Sequence, residues 1–305
     1  MGMYHSTSGK VGYQYHHQPL PGYHIPRYLM KKILIHEDKL RASPEVQALY
    51  SQSDDLAWIR DVTLQVQNRA LAEYGFTDAR GLIALNNARL EYIDDPEMNQ
   101  LTVYQRLDNS RQGKLFDGVV LPNVRLATLD GSNVMLYDYL DALREKQNHL
   151  GSAPGGSGND FPPAKRPILV TAGTVHVDFM HRLQRELGGK VELLSVYIRE
   201  AHAQDEWPLG QRVCVNQHKT MEERLAIANE FVEKHEYKIP TLVDTISNQF
   251  DQEFAAWPER YFIIEQDAEG AYRCSHVGMP TTEFGYDRDQ LESRLRSRVD
   301  ELVRA

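Results

Sequence analysis

The sequence predicts an α/β protein: a mixed sheet with flanking helices, preceded by an N-terminal helical extension. Three observations carry this. From Asp54 to about Asp94, apolar residues recur at helical spacing. From Gly118 onward, short apolar or alternating runs of the kind that form strands are interleaved with helical stretches. The run Val191 to Ile198 then turns abruptly polar at its C-terminal end, the edge where α/β sheets bind ligands.

Residues 1–30 read as a flexible tail. Met1 to Arg27 is rich in Tyr, His, Gly, Ser and Pro and has no apolar period. Met1-Gly2-Met3-Tyr4-His5-Ser6 fits the short myristoylation pattern, which is often matched by accident. His16, His17 and His24 are a metal option against a plainer reading as incidental histidines. Residues 31–115 form the helical extension. Leu56, Ile59, Val62, Val66, Ala70, Leu71 and Tyr74 make one apolar stripe, and Gly75 stops it. Thr77 can cap a second helix through Leu82, Ile83 and Leu90, ending near Asp94-Asp95-Pro96. Neither helix carries evident chemistry, so the extension reads as a cap, a lid or a homodimerisation element.

Residues 116–305 read as the sheet domain. Val124, Leu126 and Leu129 alternate, Asp130-Gly131 makes a tight turn, and Val134 and Leu136 return. A helix follows from Asp138, and the Gly/Ser/Pro-rich stretch 151–164 reads as a long exposed loop. Pro167 to Ala172 is a short buried strand, turning through Gly173 to Asp178 into a helix marked by Phe179, Leu183 and Leu187. Thr220 and Glu223 form a capping-box pattern that starts a further helix. Thr241 to Val243 and Tyr261 to Ile264 are strands, and Gly270 turns a hairpin into Ala271 to Val277. A last helix from Asp287 uses Leu291, Leu295, Val299 and Leu302.

Composition narrows the function. The chain has 305 residues, 41% apolar and 25% charged, enough for one large or two modest cores. A formal net charge of -9 without a basic stripe argues against nucleic acid. No apolar run is long enough to span a membrane, and no signal peptide is evident. The two cysteines, Cys214 and Cys274, form no CxxC, and a cytoplasmic protein with free thiols is expected.

An ordered series of residues resembles the iodothyronine deiodinases. It comprises Tyr197-Ile198-Arg199-Glu200-Ala201-His202, then Asp205 and Trp207, then Gln217-His218-Lys219-Thr220 with Glu222-Glu223-Arg224. It continues with Val243-Asp244-Thr245 and Asn248, Pro258-Glu259-Arg260-Tyr261-Phe262-Ile263-Ile264, and Gly278 with Pro280 and Tyr286. The resemblance runs from about Pro167 to the C-terminus and implies a thioredoxin-like fold. The earlier hairpin is similar to the one that opens redoxin-type members of that fold. The resemblance places a reactive chalcogen in the turn after Pro167 to Ala172, where a helix N-terminus favours a thiolate. Anchoring on Phe179 puts His176 at that position, with Val177 and Asp178 where the family has prolines; the turn is one residue shorter here. No Sec or Cys stands there.

The resemblance also implies that Glu200, His202 and His218 form the polar network around the missing centre. Such groups suit acid–base work near neutral pH. With His176 they are also a ligand set for a divalent metal. The plain alternative is that the histidines hydrogen-bond within their loops and hold the fold. Glu222, Glu223 and Arg224 read as first-turn helix charges, and Asp244 as the cap of a turn or the orienter of a pocket histidine. Asp178, Asp205, Trp207, Arg224, Asp244 and Pro258 are the supporting or substrate-binding candidates. Thioredoxin-like folds often carry a cis-proline where Trp257-Pro258 stands, although most X–Pro bonds are trans. Cys214 reads as a buried or incidental thiol. Three functions follow: a Glu/His pocket doing proton-transfer or redox chemistry on a small substrate, with an aromatic one in keeping with the family; a catalytically silent binding or scaffold protein; or an oxidoreductase using a bound metal or Cys214.

Overall fold

The computed structural model describes residues 23–53, 55–108, 113–150, 166–173, 176–211, 213–278 and 288–304. The tail through residue 22 with His16, His17 and the myristoylation pattern, the loop 151–164, Pro280 and Tyr286 lie outside the described residues, as do Thr174 and Val175 of the turn before His176. The chain divides into two compact units. One holds Asn109–Arg199 and His218–Ala305; the other holds Gln14–Asp108 together with Glu200–Gln217.

The first unit is built on a seven-stranded mixed sheet. Its strands are β1 (Arg125–Thr128), β2 (Asn133–Met135), β3 (Ile168–Gly173), β4 (Glu192–Tyr197), β5 (Thr241–Asp244), β6 (Glu259–Gln266) and β7 (Tyr272–Val277), in the order β2-β1-β5-β4-β3-β6-β7. The three central strands β3, β4 and β5 are parallel, and the outer ones antiparallel. This is the thioredoxin-like arrangement expected. The central strands are buried along almost their whole length, which is why they read as continuous apolar runs without alternation.

Helices α7 (Val177–Leu187) and α10 (Arg288–Arg304) cover one face. Met180, Leu183 and Leu187, with Leu291, Leu295 and Val299, pack on Leu169, Leu193 and Ile263. Each such side chain contributes about 1.5–3 kcal/mol of burial. Helix α8 (Met221–Lys234) joins a second cluster, in which Ala228, Met221 and Leu225 meet Ala127 and Val243. The capping box is formed as the spacing predicts: Thr220 accepts from Glu223 N–H, and the Glu223 carboxylate accepts in return from Thr220 N–H. The short helix α9 (Gln249–Phe254) stacks Phe250 and Phe254 against Phe262.

The second unit is helical. Helices α1 (Arg27–Arg41), α2 (Pro44–Tyr50), α3 (Leu56–Ala72), α4 (Ala79–Glu91) and α5 (Val103–Leu107) are joined by a 3-10 turn at Met98–Gln100. Helix α6 (Leu136–Leu150) belongs to the sheet unit. Helix α1 begins inside the stretch expected as tail, because Met30, Ile33 and Leu34 face a core shared with Ala70, Leu71, Leu85 and Ala88. Asp78, not Thr77, caps α4, accepting from the N–H groups of Arg80 and Gly81. His24, part of the metal option, pairs with Glu91 at 2.6 Å. No helix among the described residues is long and apolar enough to cross a membrane.

Candidate functional site

Parallel β3, β4 and β5 end on one edge of the sheet, and antiparallel β6 begins there. Register fixes the contacts: Gly173 at the end of β3 lies opposite Glu259 at the start of β6. Gly173 adopts φ +85, and a Cβ there would stand 2.0 Å from the Pro258 carbonyl oxygen. Only glycine tolerates both conditions. The Trp257–Pro258 bond is cis. His176 is the N-cap residue of α7, and its Nε2 lies 3.3 Å from Glu259 Oε2. That is an ion-pair separation whose alignment falls short of a hydrogen bond. Both side chains are largely covered, at 18% and 11% exposure.

A web of buried polar groups supports this edge. Arg224, 1% exposed, donates to the carbonyls of Asp244 (3.3 Å) and Thr245 (2.7 Å) and to Asn248 Oδ1 (2.8 Å). The sequence read it as a first-turn helix charge and a supporting site residue; it is a buried donor to the turn after β5. Asp244 accepts from the N–H groups of Phe250 (2.9 Å) and Asp251 (3.0 Å), so it holds the first turn of α9, in keeping with the turn-capping role read from the sequence. Asp251 in turn accepts from Trp257 N–H at 2.8 Å, beside the cis bond. Burial raises the pKa of both carboxyls, that of Asp251 to about 6.

His218 sits in the same unit, 6% exposed. Its Nε2 is 3.3 Å from the Tyr197 hydroxyl, with ring centroids 5.6 Å apart. Burial, then the charge of Arg224, lowers its pKa to about 4. At neutral pH the ring is neutral, so it accepts a hydrogen bond at one nitrogen and donates from the other but does not serve as imidazolium. Its Nδ1 is buried with no partner among the described residues.

Glu200, His202, Asp205 and Trp207 lie in the helical unit. Gln217 organises them: its side chain accepts from Glu200 N–H (3.1 Å) and donates to the Glu200 carbonyl and to Glu206 (both 2.9 Å). Asp205 accepts from Gln217 N–H at 2.8 Å. The Glu200 carboxylate accepts from His202 N–H at 3.2 Å. The His202 ring lies on the Trp207 indole, centroids 4.3 Å apart, with Nδ1 3.4 Å from the Trp207 carbonyl. Cys214, expected as a buried or an incidental thiol, is exposed, and its thiol points to the Gln211 carbonyl at 3.1 Å. Cys274 is buried, and burial pushes its thiol up to about 12.

The four metal-ligand candidates divide between the two units, His176 and His218 in the sheet unit and Glu200 and His202 in the helical one. Among the described residues no group of three His, Cys, Asp or Glu side chains is placed to hold an ion. Each imidazole has a different neighbour: Glu259 for His176, Trp207 for His202, Tyr197 for His218. Asp178 lines an open cleft of about 500 Å³ with Phe179, His181, Arg182, Arg185, Arg288 and Asp289. Two guanidiniums flank the Phe179 ring, Arg182 at 5.5 Å and Arg288 at 5.9 Å from its centroid. Sequence reasoning missed Glu259 and Tyr197 as partners of the histidines. The β3–β6 register, which sets Glu259 opposite Gly173, is what brings it beside His176.

Comparisons with known proteins agree with the resemblance. The profile of the family "Iodothyronine deiodinase" matches residues 97–293. The type I iodothyronine deiodinase of Xenopus laevis is 29% identical over 155 residues, 51% of this chain and 55% of that protein. The thyroxine 5-deiodinase of Gallus gallus is 29% identical over 148 residues, 45% of this chain and 57% of that protein. The chain thus spans a little over half the length of these curated relatives. Among solved structures, an exposed lipoprotein thioredoxin of Streptococcus pneumoniae aligns with 58% of this chain and 99% of its own, at 12% identity and a TM-score of 0.32. With the profile match covering well over half of its residues, the chain belongs to the iodothyronine deiodinase family.

Proposed function

We propose that this chain performs proton-transfer chemistry on a small organic molecule, with His176 and Glu259 as the acid–base pair. The observation that carries the reading is the 3.3 Å approach of His176 Nε2 to Glu259 at the start of α7. By the resemblance, this is where the family places its chalcogen. A carboxylate beside one ring nitrogen favours a single tautomer and leaves the other, Nδ1, to exchange a proton with a ligand. The helix N-terminus favours negative charge developing on that ligand. The first-turn cleft, with Phe179 between guanidiniums, suits an anionic aromatic molecule. The relatives' names point the same way, since one is called a thyroxine 5-deiodinase. His218, in the same unit as this pair, is a neutral supporting polar group in this reading.

The test is mass spectrometry of a metabolite extract incubated with the full chain in heavy water, beside His176→Ala, Glu259→Gln and Cys214→Ala. The expected result is a product, or deuterium incorporation, that falls by about 10²–10⁴-fold without His176 and falls with Glu259→Gln. Turnover that survives His176→Ala but needs Cys214 gives the reaction to a thiol. No conversion by the unaltered chain favours a silent binding protein.

A further inference from the structure

We propose that the N-terminal helices fix the orientation of His202, with Arg41 and Tyr104 acting as positioning residues through Trp207. The proposal concerns the helical unit alone and does not depend on the His176–Glu259 reading.

Trp207 is buried, with His202 on one side of its indole at 4.3 Å. Tyr104 of α5 meets the indole edge-on at 4.2 Å and 69°. The Arg41 guanidinium of α1 lies 5.1 Å from the indole centroid and 5.9 Å from that of Tyr104. Tyrosine, indole and imidazole thus form one array, and the cation sits against two of its rings, those of Trp207 and Tyr104.

The cation itself is held from several directions. Arg41 is 2% exposed and pairs with Glu37 one turn earlier, itself 6% exposed. It also donates to the Tyr50 hydroxyl at 3.3 Å, and that hydroxyl bonds Thr63 at 2.9 Å. Stability alone is a poor reason to bury such a pair, since a well-packed apolar replacement usually serves as well or better. A fixed guanidinium plane is what the arrangement supplies.

The segment carrying Trp207 is fastened to the same helices. Gln47 of α2 donates to the carbonyls of Arg41 (2.7 Å) and Pro208 (3.1 Å) and accepts from Gly210 N–H (2.8 Å). Gly210 has φ +62, and a Cβ there would meet Ser51 Oγ at 2.5 Å, so the segment lies flat against the end of α2. The imidazole of His202 is therefore oriented by residues more than 90 positions earlier in the chain.

Nuclear magnetic resonance of the full chain with labelled histidines tests this without a substrate. His202, assigned through His202→Gln, should resonate upfield because it lies over the indole. Tyr104→Leu and the double variant Glu37→Gln/Arg41→Met should lose that displacement, while Tyr104→Phe, which keeps the ring, should retain it. His36, edge-on to Tyr74 at 6.2 Å in the same unit, reports whether the helices stay folded. If the double variant unfolds, Tyr104→Leu decides alone. His202 resonances that stay in place in a folded Tyr104→Leu overturn the proposal. That result leaves the His176–Glu259 reading intact, and failure of that reading leaves this array intact.

Discussion

His218 should make the protein acid-labile in a way a single substitution removes. Its folded pKa is lowered to about 4 by burial and by Arg224, against 6.5 for the free group. The unfolded chain therefore takes up a proton below pH 6.5 that the folded chain refuses. The His218 contribution is fully present above pH 6.5 and is lost as pH falls towards 4. At about 1.4 kcal/mol per pH unit, the displacement from 6.5 to about 4 is worth about 3 kcal/mol. His218→Gln keeps a polar group of similar reach near the Tyr197 hydroxyl but cannot titrate. At pH 7.5 the variant should be less stable by about 1 kcal/mol, the worth of one imperfectly replaced hydrogen bond. By pH 4.5 the order should reverse. His276 and Asp251 also titrate in this range, but they do so in both proteins and cancel in the difference. Urea unfolding of both proteins at pH 7.5, 6.5, 5.5 and 4.5 measures the gap. A gap constant across that range would refute the argument.

Three other outcomes are expected. Gly173→Ala should cost more than about 2 kcal/mol, because its Cβ would overlap the Pro258 carbonyl at a φ of +85; a variant melting like the original protein contradicts the close approach of β3 and β6. Arg224→Met should cost about 3–5 kcal/mol, since it strips two carbonyls and Asn248 of their donor, and urea unfolding at pH 7.5 measures it. The full chain given thyroxine and dithiothreitol should release no more iodide than a heat-killed control, because no Cys lies between Pro167 and Lys190 and the Cys274 thiol is pushed up to about 12; clear thiol-dependent release contradicts the assignment of the chemistry to His176.

Much of the sheet was legible because its strands obey simple patterns. Pro167 to Ala172 and Val191 to Ile198 are buried on both faces and read as apolar runs, and the Thr220–Glu223 box announced α8. Helices α1 and α2 fall within the expected helical extension but were not picked out individually, because α1 buries Glu37 and Arg41 beside Met30 and Ile33 and so breaks the apolar period. The same break hid the array beneath His202. Arg224 read as a first-turn helix charge; only the fold shows that it fills the gap between α8 and the turn at Thr245 to Asn248. His176 was found through the family resemblance, but Glu259 could not be paired with it. Their meeting depends on an antiparallel register between β3 and β6, a long-range fact that local propensity does not encode.

The most direct measurement of the central claim is the tautomer of His176, read from its two ring nitrogens by long-range nitrogen–proton correlation in the full chain and in Glu259→Gln. Nε2 faces the carboxylate at 3.3 Å. In the unaltered protein at pH 8 the proton should therefore reside on Nε2, and in Glu259→Gln the spectrum should move towards a mixture of both tautomers. An unchanged His176 spectrum in a folded Glu259→Gln would contradict the account, because the carboxylate would then not be directing the imidazole.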